Sequence, residues 1–336
     1  SYDALFGTTP VRVGHGGGPL VSTRRHLTLF ALASVFFGGT FVAAKAGLEY
    51  FPPLLFVALR FDIAAAVLVG YVVATRARDD LLPRSLDDVV AILATGVFVI
   101  GLSNAFLFVG QQYVSSAVGS IIFSLNPILT PVFAMVLLAD ERLSPRGAFG
   151  LLIGLVGVGL VVGVDPSNLL GGDARWKGVI FAGAVTGALG TVLIRWADSP
   201  LSSTVRTAWA LPVSALLTHG GSLAAGESFA AVAWTPEALV ALGYVGVFAG
   251  AVAYLTYFGL LDEVGPIHGN LVFYAVPIVA TLGGSVLLGE SISTSTVVGF
   301  AIIFAGFAVL ASESIVDEVE AWYTTVRVEV VAEDIG

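Results

Sequence analysis

Apolar stretches of roughly 20 residues recur along nearly the whole chain, and each is long enough to cross a bilayer as a helix. The pattern predicts ten spans, over residues 27–47, 54–74, 89–110, 115–138, 147–164, 177–197, 204–220, 237–260, 266–288 and 295–312.

Part of this pattern occurs twice. At an offset of 150, Val114, Gly119, Phe123, Pro127, Leu137 and Leu138 fall on Val264, Gly269, Phe273, Pro277, Leu287 and Leu288. After a one-residue gap, Glu141, Gly150 and Gly157 meet Glu290, Gly299 and Gly306. Coincidence of Gly, Pro and Glu together is improbable even in a biased composition. Weaker echoes lie upstream, where Lys45 matches Arg195, Arg60 roughly matches Arg206, and Gly101 and Gly110 match Gly250 and Gly259. Each repeat holds five spans, an odd number, so the second must lie upside down relative to the first. The expected fold class is an all-α polytopic membrane protein with ten transmembrane helices in two inverted five-helix repeats. Secondary transporters use this plan to surround a site near the midplane and expose it alternately.

Composition agrees with lipid as the solvent. Of the 336 residues, 57% are hydrophobic and 12% charged, about half of the roughly 25% charge of a soluble domain. Lys and Arg collect in short cytoplasmic loops. With the N-terminus inside, Arg12, Arg24, Arg25, Arg76, Arg78, Arg84, Arg142, Arg146 and Arg327 are cytoplasmic, against Arg175 and Lys177 outside. Both termini are thus expected in the cytoplasm of a multi-pass plasma-membrane protein. The expected organisation is a flexible cytoplasmic tail over 1–26, a first repeat over 27–164, a second over 165–312 and an acidic cytoplasmic tail over 313–336. The apolar segment after residue 26 is too long for a signal-peptide core, so no cleavage is expected. The chain has no Cys, which excludes disulfides and thiolate metal sites. His15, His26, His219 and His268 include no pair at metal-ligand spacing, so neither a metal nor a cofactor is expected.

Three phrases carry a family resemblance: GGTFVAAKAG ending span 1, LNPILTPVFAMVLLADERLS across spans 4 and 5, and its second copy AVPIVATLGGSVLLGESIS across spans 9 and 10. Over residues 27–312 the chain resembles the EamA family of the drug/metabolite transporter superfamily, departing from it in its tails and in Asp140, where the phrase usually has Gly. The resemblance implies two inverted five-helix repeats and export of small metabolites, often amino acids or related polar compounds, driven by an ion gradient. The implied partners are a small-molecule substrate, a coupling proton or cation, and the bilayer. Nucleic acid is not among them, and the oligomeric state stays open.

Several residues are candidates for the transport path. Asn270, Tyr274, Pro277 and Thr281 share one face of span 9, and Ser120, Ser124, Pro127 and Pro131 share the matching face of span 4. Pro127 and Pro277 fall near mid-span, where each removes a backbone hydrogen bond, and irregular backbone at that depth needs protein or a cavity around it. Both faces are therefore expected to look into the path, the alternative being that the prolines only kink their helices and the hydroxyls bond their own turns. Asn104 in span 3 and Tyr257 in span 8 either line the path or serve as interhelical hydrogen-bond partners. Asn126 lies off the Pro127 face and is expected to pack between helices.

Ionisable residues within spans are costly. Lys45, Arg60 and Asp62 lie in the outer half of spans 1 and 2, where Asp62 pairing with one cation is the cheapest arrangement. Arg60 is the expected partner and Lys45 is expected to snorkel, while a spare cation could instead meet a substrate carboxylate. Glu141 and Glu290 close spans 4 and 9 just before Ser144 and Ser293, which look like N-caps of the following helices. His268 is the histidine placed for proton coupling, or is simply structural.

No G-x-S-x-G, H-E-x-x-H or intramembrane Asp pair supports an enzyme, and no phosphate loop supports a pump. A channel or a lipid-precursor flippase of the same fold is the alternative to an exporter of small polar metabolites.

Overall fold

The computed structural model describes residues 19–138, 145–162, 174–269 and 271–309. Glu141, Ser144 and Asn270, and the side chains of Pro127 and His268, lie outside the described residues.

The described residues are predominantly helical, and the main helices are α1 (Pro19–Gly47), α2 (Pro53–Thr75), α3 (Leu86–Gln111), α4 (Ser116–Leu137), α5 (Pro145–Val162), α6 (Ala174–Ala197), α7 (Ser203–Ala224), α8 (236–269), α9 (Val272–Leu288) and α10 (Thr294–Val309), with short turns of helix at Arg78–Leu81 and Phe229–Ala231. Among these, α1, α2, α3, α4, α6 and α8 are long and apolar enough to cross a membrane, and α5, α9 and α10 are shorter apolar helices. The more polar α7 turns its hydroxyls inward. Thr207, Ser214, Thr218 and Ser222 are buried, and Ser214 Oγ donates to the Gly96 carbonyl of α3 at 2.7 Å.

Contacts sort the connections to two ends of the bundle. At one end, Lys45 Nζ donates to the carbonyls of Gln111 and Gln112 at 3.0 and 2.9 Å. There too, the Glu227 carboxylate accepts from the backbone of Leu54 and Leu55 at 3.1 and 2.7 Å. At the other, Arg25 pairs with Glu263 at 2.6 Å, Ser199 Oγ donates to Asp88 at 2.6 Å, and Trp209 Nε1 donates to the Leu81 carbonyl at 2.6 Å. These are called the lysine end and the arginine end below.

The repeat extends well beyond the stretch legible in sequence. The α2 start at Pro53 corresponds to the α7 start at Ser203, and the α3 start at Leu86 to the Pro236 start of α8, each 150 residues on. The closest match is in the backbone itself. Residues Ala94–Leu102 of α3 and Tyr244–Val252 of α8 are both nine-residue π-helical segments, again 150 apart. Such wide turns are uncommon and gather at functional sites. Glycines let a neighbour approach each one. A Cβ on Gly96 would lie 2.8 Å from the Ala210 carbonyl of α7, and a Cβ on Gly246 would lie 2.9 Å from the Ile63 side chain of α2. This register corrects the upstream echoes: Gly96 pairs with Gly246 rather than Gly101 with Gly250. Lys45 does match Arg195, but Arg60 corresponds to Ala210, not Arg206.

Three boundaries also shift. Helix α1 starts at Pro19, ahead of residue 27. Span 4 is not one kinked helix but two, Ser116–Phe123 and Asn126–Leu137. Pro127 has no N–H to offer the Phe123 carbonyl, so the chain turns at Ser124 and Leu125, with Leu125 N bonded to the Ile122 carbonyl at 3.2 Å. Residues 266–269, expected to open span 9, complete α8, and α9 begins at Val272. The duplicated glycines of α5 and α10 pack on each other. A Cβ on Gly157 would lie 2.7 Å from the Gly299 carbonyl, and one on Gly306 would lie 2.6 Å from the Gly150 carbonyl.

Candidate substrate site

The phrase GGTFVAAKAG places α1 at the centre. Gly38 admits Val279 of α9, and Gly39 admits the Tyr244 ring of α8; an added Cβ on Gly38 would lie 2.5 Å from the Val279 Cβ. With α1 held this close, its phenylalanines reach both repeats. Phe41 contacts Phe123 with ring centroids 6.0 Å apart, and Phe37, one turn away, contacts Phe273 at 5.9 Å. Phe123 and Phe273 are equivalent positions of the two repeats. Tyr254 and Tyr257 of α8 complete the group, 5.3 and 6.0 Å from Phe37. Phe37, Tyr254, Tyr257 and Phe273 are each half-buried, and they form a ring cluster between α1, α8 and α9 with Phe37 and Tyr257 packed on the core.

Arg60 lies behind Tyr254. Its side chain is 3% exposed, and Nη2 donates to Asn104 Oδ1 at 3.2 Å. Asn104 is oriented for this because its own Nδ2 donates to the Ile100 carbonyl at 2.7 Å. The guanidinium sits over the rings of Phe61 and Phe108, 4.8 and 5.0 Å from their centroids, a placement that favours a cation. Tyr254 is within electrostatic reach of the guanidinium. Asn104 and Tyr254 are themselves 150 residues apart, so Arg60 is addressed by equivalent positions of both repeats. Toward the lysine end, Phe108 packs on Phe56 at 5.4 Å and Phe56 on Phe51 at 4.6 Å. All three are buried, and they seal that side.

The expected ion pair is absent. Asp62 bonds His219 of α7 at 2.8 Å, not Arg60. The reason is helical phase: residues two apart point about 200° apart around the axis, so Arg60 faces the interior while Asp62 is half exposed. Lys45 reaches the end of α3. It bonds the last carbonyls of α3, where the negative helix end favours a cation.

The paired faces of spans 4 and 9 are brought together in part. Ser120 and Ser124 are buried, but their hydroxyls donate to the Ala117 and Ile121 carbonyls of their own helix, both at 2.8 Å. Tyr274 turns away from α1 and packs on α10, with Phe307 and Phe304 at 4.1 and 5.6 Å. Pro277 is buried within α9 and Thr281 is half-buried in the same helix. Where α4 and α9 meet is the lysine end. Both Glu290 oxygens accept from Ser116 N at 3.0 Å, and the Ser116 hydroxyl donates to Oε1 at 3.3 Å. Glu290 therefore caps α4, in the other repeat. Ser293 caps α10 as expected, accepting from Thr296 N at 3.1 Å. Asn126 packs against Gly187 of α6, as expected.

Sequence reasoning missed Phe37, Phe41, Phe123 and Phe273. The signal was present, since Phe123 and Phe273 were aligned, but a matched apolar residue reads as packing.

Residues 25–163 and 175–312 each match the model of the EamA-like transporter family. An uncharacterized transporter of Archaeoglobus fulgidus is 23% identical, over 84% of this chain and 97% of its own length. The uncharacterized transporter YyaM of Bacillus subtilis is 29% identical over 84% and 93%, and the uncharacterized inner membrane transporter YedA of Escherichia coli 26% over 79% and 83%. A crystal structure 23% identical in sequence shares the fold, with a TM-score of 0.56 over 87% of this chain and 98% of its own.

Proposed function

The chain belongs to the EamA-like transporter family, and we propose that it is a secondary active transporter exporting a small polar metabolite, an amino acid or related compound, across the plasma membrane by alternating access. In this reading ten spans form two inverted repeats over 27–164 and 165–312, flanked by cytoplasmic tails. The arginine end faces the cytoplasm, as the distribution of basic residues suggests. The observation that carries the reading is the pair of π segments at equivalent positions of α3 and α8. Two matched halves, each with a wide turn packed on the other repeat, suit rocking about a central site. The contacts of Lys45 and Glu290 support a state closed at the lysine end.

The test is counterflow in proteoliposomes holding the purified chain, screened with amino acids and related metabolites. Substrate on the far side should accelerate uptake of labelled substrate several-fold. Flux without that acceleration would indicate a channel, and movement of a labelled lipid precursor alone would indicate a flippase.

A further inference from the structure

We propose that Arg60 receives the head group of the transported molecule, and that this molecule is an organic anion, a small carboxylic acid with an apolar or aromatic body. The proposal deepens the transporter reading and rests on it.

A guanidinium carries five N–H donors and no acceptor. In Arg60 one bond goes to Asn104, while Nε and Nη1 find no partner among the described residues. Burying a cation without a carboxylate is costly, and among the described residues no acid pairs with Arg60. Asp62 holds His219, Glu227 caps α2, Glu290 caps α4, and Glu263 holds Arg25. The Asp88 carboxylate accepts from the backbone N–H groups of Arg84 and Ser85 and from the Ser199 hydroxyl at the arginine end. Nε and Nη1 lie on different edges of the guanidinium, so a carboxylate takes one of them together with the second hydrogen of Nη2 to complete a two-oxygen fork. The ligand's body is set by what leads to the guanidinium. Phe37, Tyr254, Tyr257 and Phe273 offer ring faces and edges, and no described carboxylate stands among them to hold an ammonium group. A molecule received between these rings and Arg60 gains apolar contact along its length and a charge-assisted bond at its tip. Asn104, already fixed by Ile100, keeps the guanidinium turned toward that tip.

Binding is measured by thermal unfolding of the purified full chain in detergent, apart from transport. The probes are phenylacetate, benzoate, hexanoate and 4-methyl-2-oxopentanoate, with phenylacetamide and sodium chloride as controls. At least one carboxylate should raise the Tm of the native chain by several degrees, and phenylacetamide and chloride should not. Arg60→Gln should lose that shift, and Arg60→Lys should keep the preference for acid over amide with a Kd raised at least tenfold. No shift with any carboxylate, an equal shift with phenylacetamide or chloride, or a full shift in Arg60→Gln would overturn the proposal. If Arg60→Gln cannot be purified, Arg60→Lys decides, and an unchanged Kd in that variant overturns it. Counterflow of uncharged molecules only would also overturn it while leaving the transporter reading standing. Carboxylate binding without counterflow would support the site and remove the transporter reading.

Discussion

The Glu290 contact gives a measurable handle on opening at the lysine end. Its carboxylate ties the end of α9 to the first turn of α4, across the boundary between repeats. Replacement by Ala removes a side-chain cap, worth about 0.5–2 kcal/mol, and a negative charge beside a positive helix end, worth about 0.3–1 kcal/mol. The two effects overlap, so a combined loss of about 1–2 kcal/mol is expected, which shifts an open-to-closed ratio roughly 5–30-fold. The chain has no Cys, so Ser120→Cys supplies a single reporter. Ser120 is 0% exposed, one turn beyond Ser116, and reacts only when the lysine end opens. A membrane-impermeant maleimide added from that side should label Ser120→Cys roughly 5–30 times faster when Glu290→Ala is also present, with unfolding still cooperative. An unchanged labelling rate in a folded double variant would refute the view that this contact holds the end shut.

Two further outcomes follow. In a double-mutant cycle, Asp62→Asn and His219→Ala should show a coupling of about 0.2–1 kcal/mol, as for a partly exposed pair, whereas Asp62→Asn and Arg60→Gln should be additive in unfolding stability. For the ring cluster, substrate should slow maleimide labelling of Phe273→Cys and Tyr257→Cys but not of Tyr274→Cys. Protection at Tyr274→Cys instead would put the path on the α10 side of α9.

The apolar pattern carried the helices, and the Gly, Pro and Glu matches carried the repeat, because lipid leaves few ways to satisfy a backbone. Placement of side chains was less legible. The face drawn for span 9 assumed one unbroken helix from 266, yet 266–269 belong to α8, and α9 presents Phe273 rather than Tyr274 to α1. A polar-face criterion also looked past phenylalanines. Arg60 was paired with Asp62 on proximity in sequence, although two helical residues that close point apart. The π segments leave no mark in hydropathy, and only their glycines hint at them.

Ala210 stands where a second cation would stand if the repeats were alike. A carrier with identical halves would offer the same site to both sides of the membrane, and its influx and efflux steps would mirror each other. The second repeat carries Arg206 one turn from Ala210 instead, so the two halves place their cations differently. If Arg60 receives the transported anion, that anion meets its counter-ion at a different depth from each entrance, and the half-saturation concentrations for the two directions should differ while net flow still follows the gradients. In such a carrier the duplicated frame would set the motion, and the unmatched residue would make the two faces kinetically distinct.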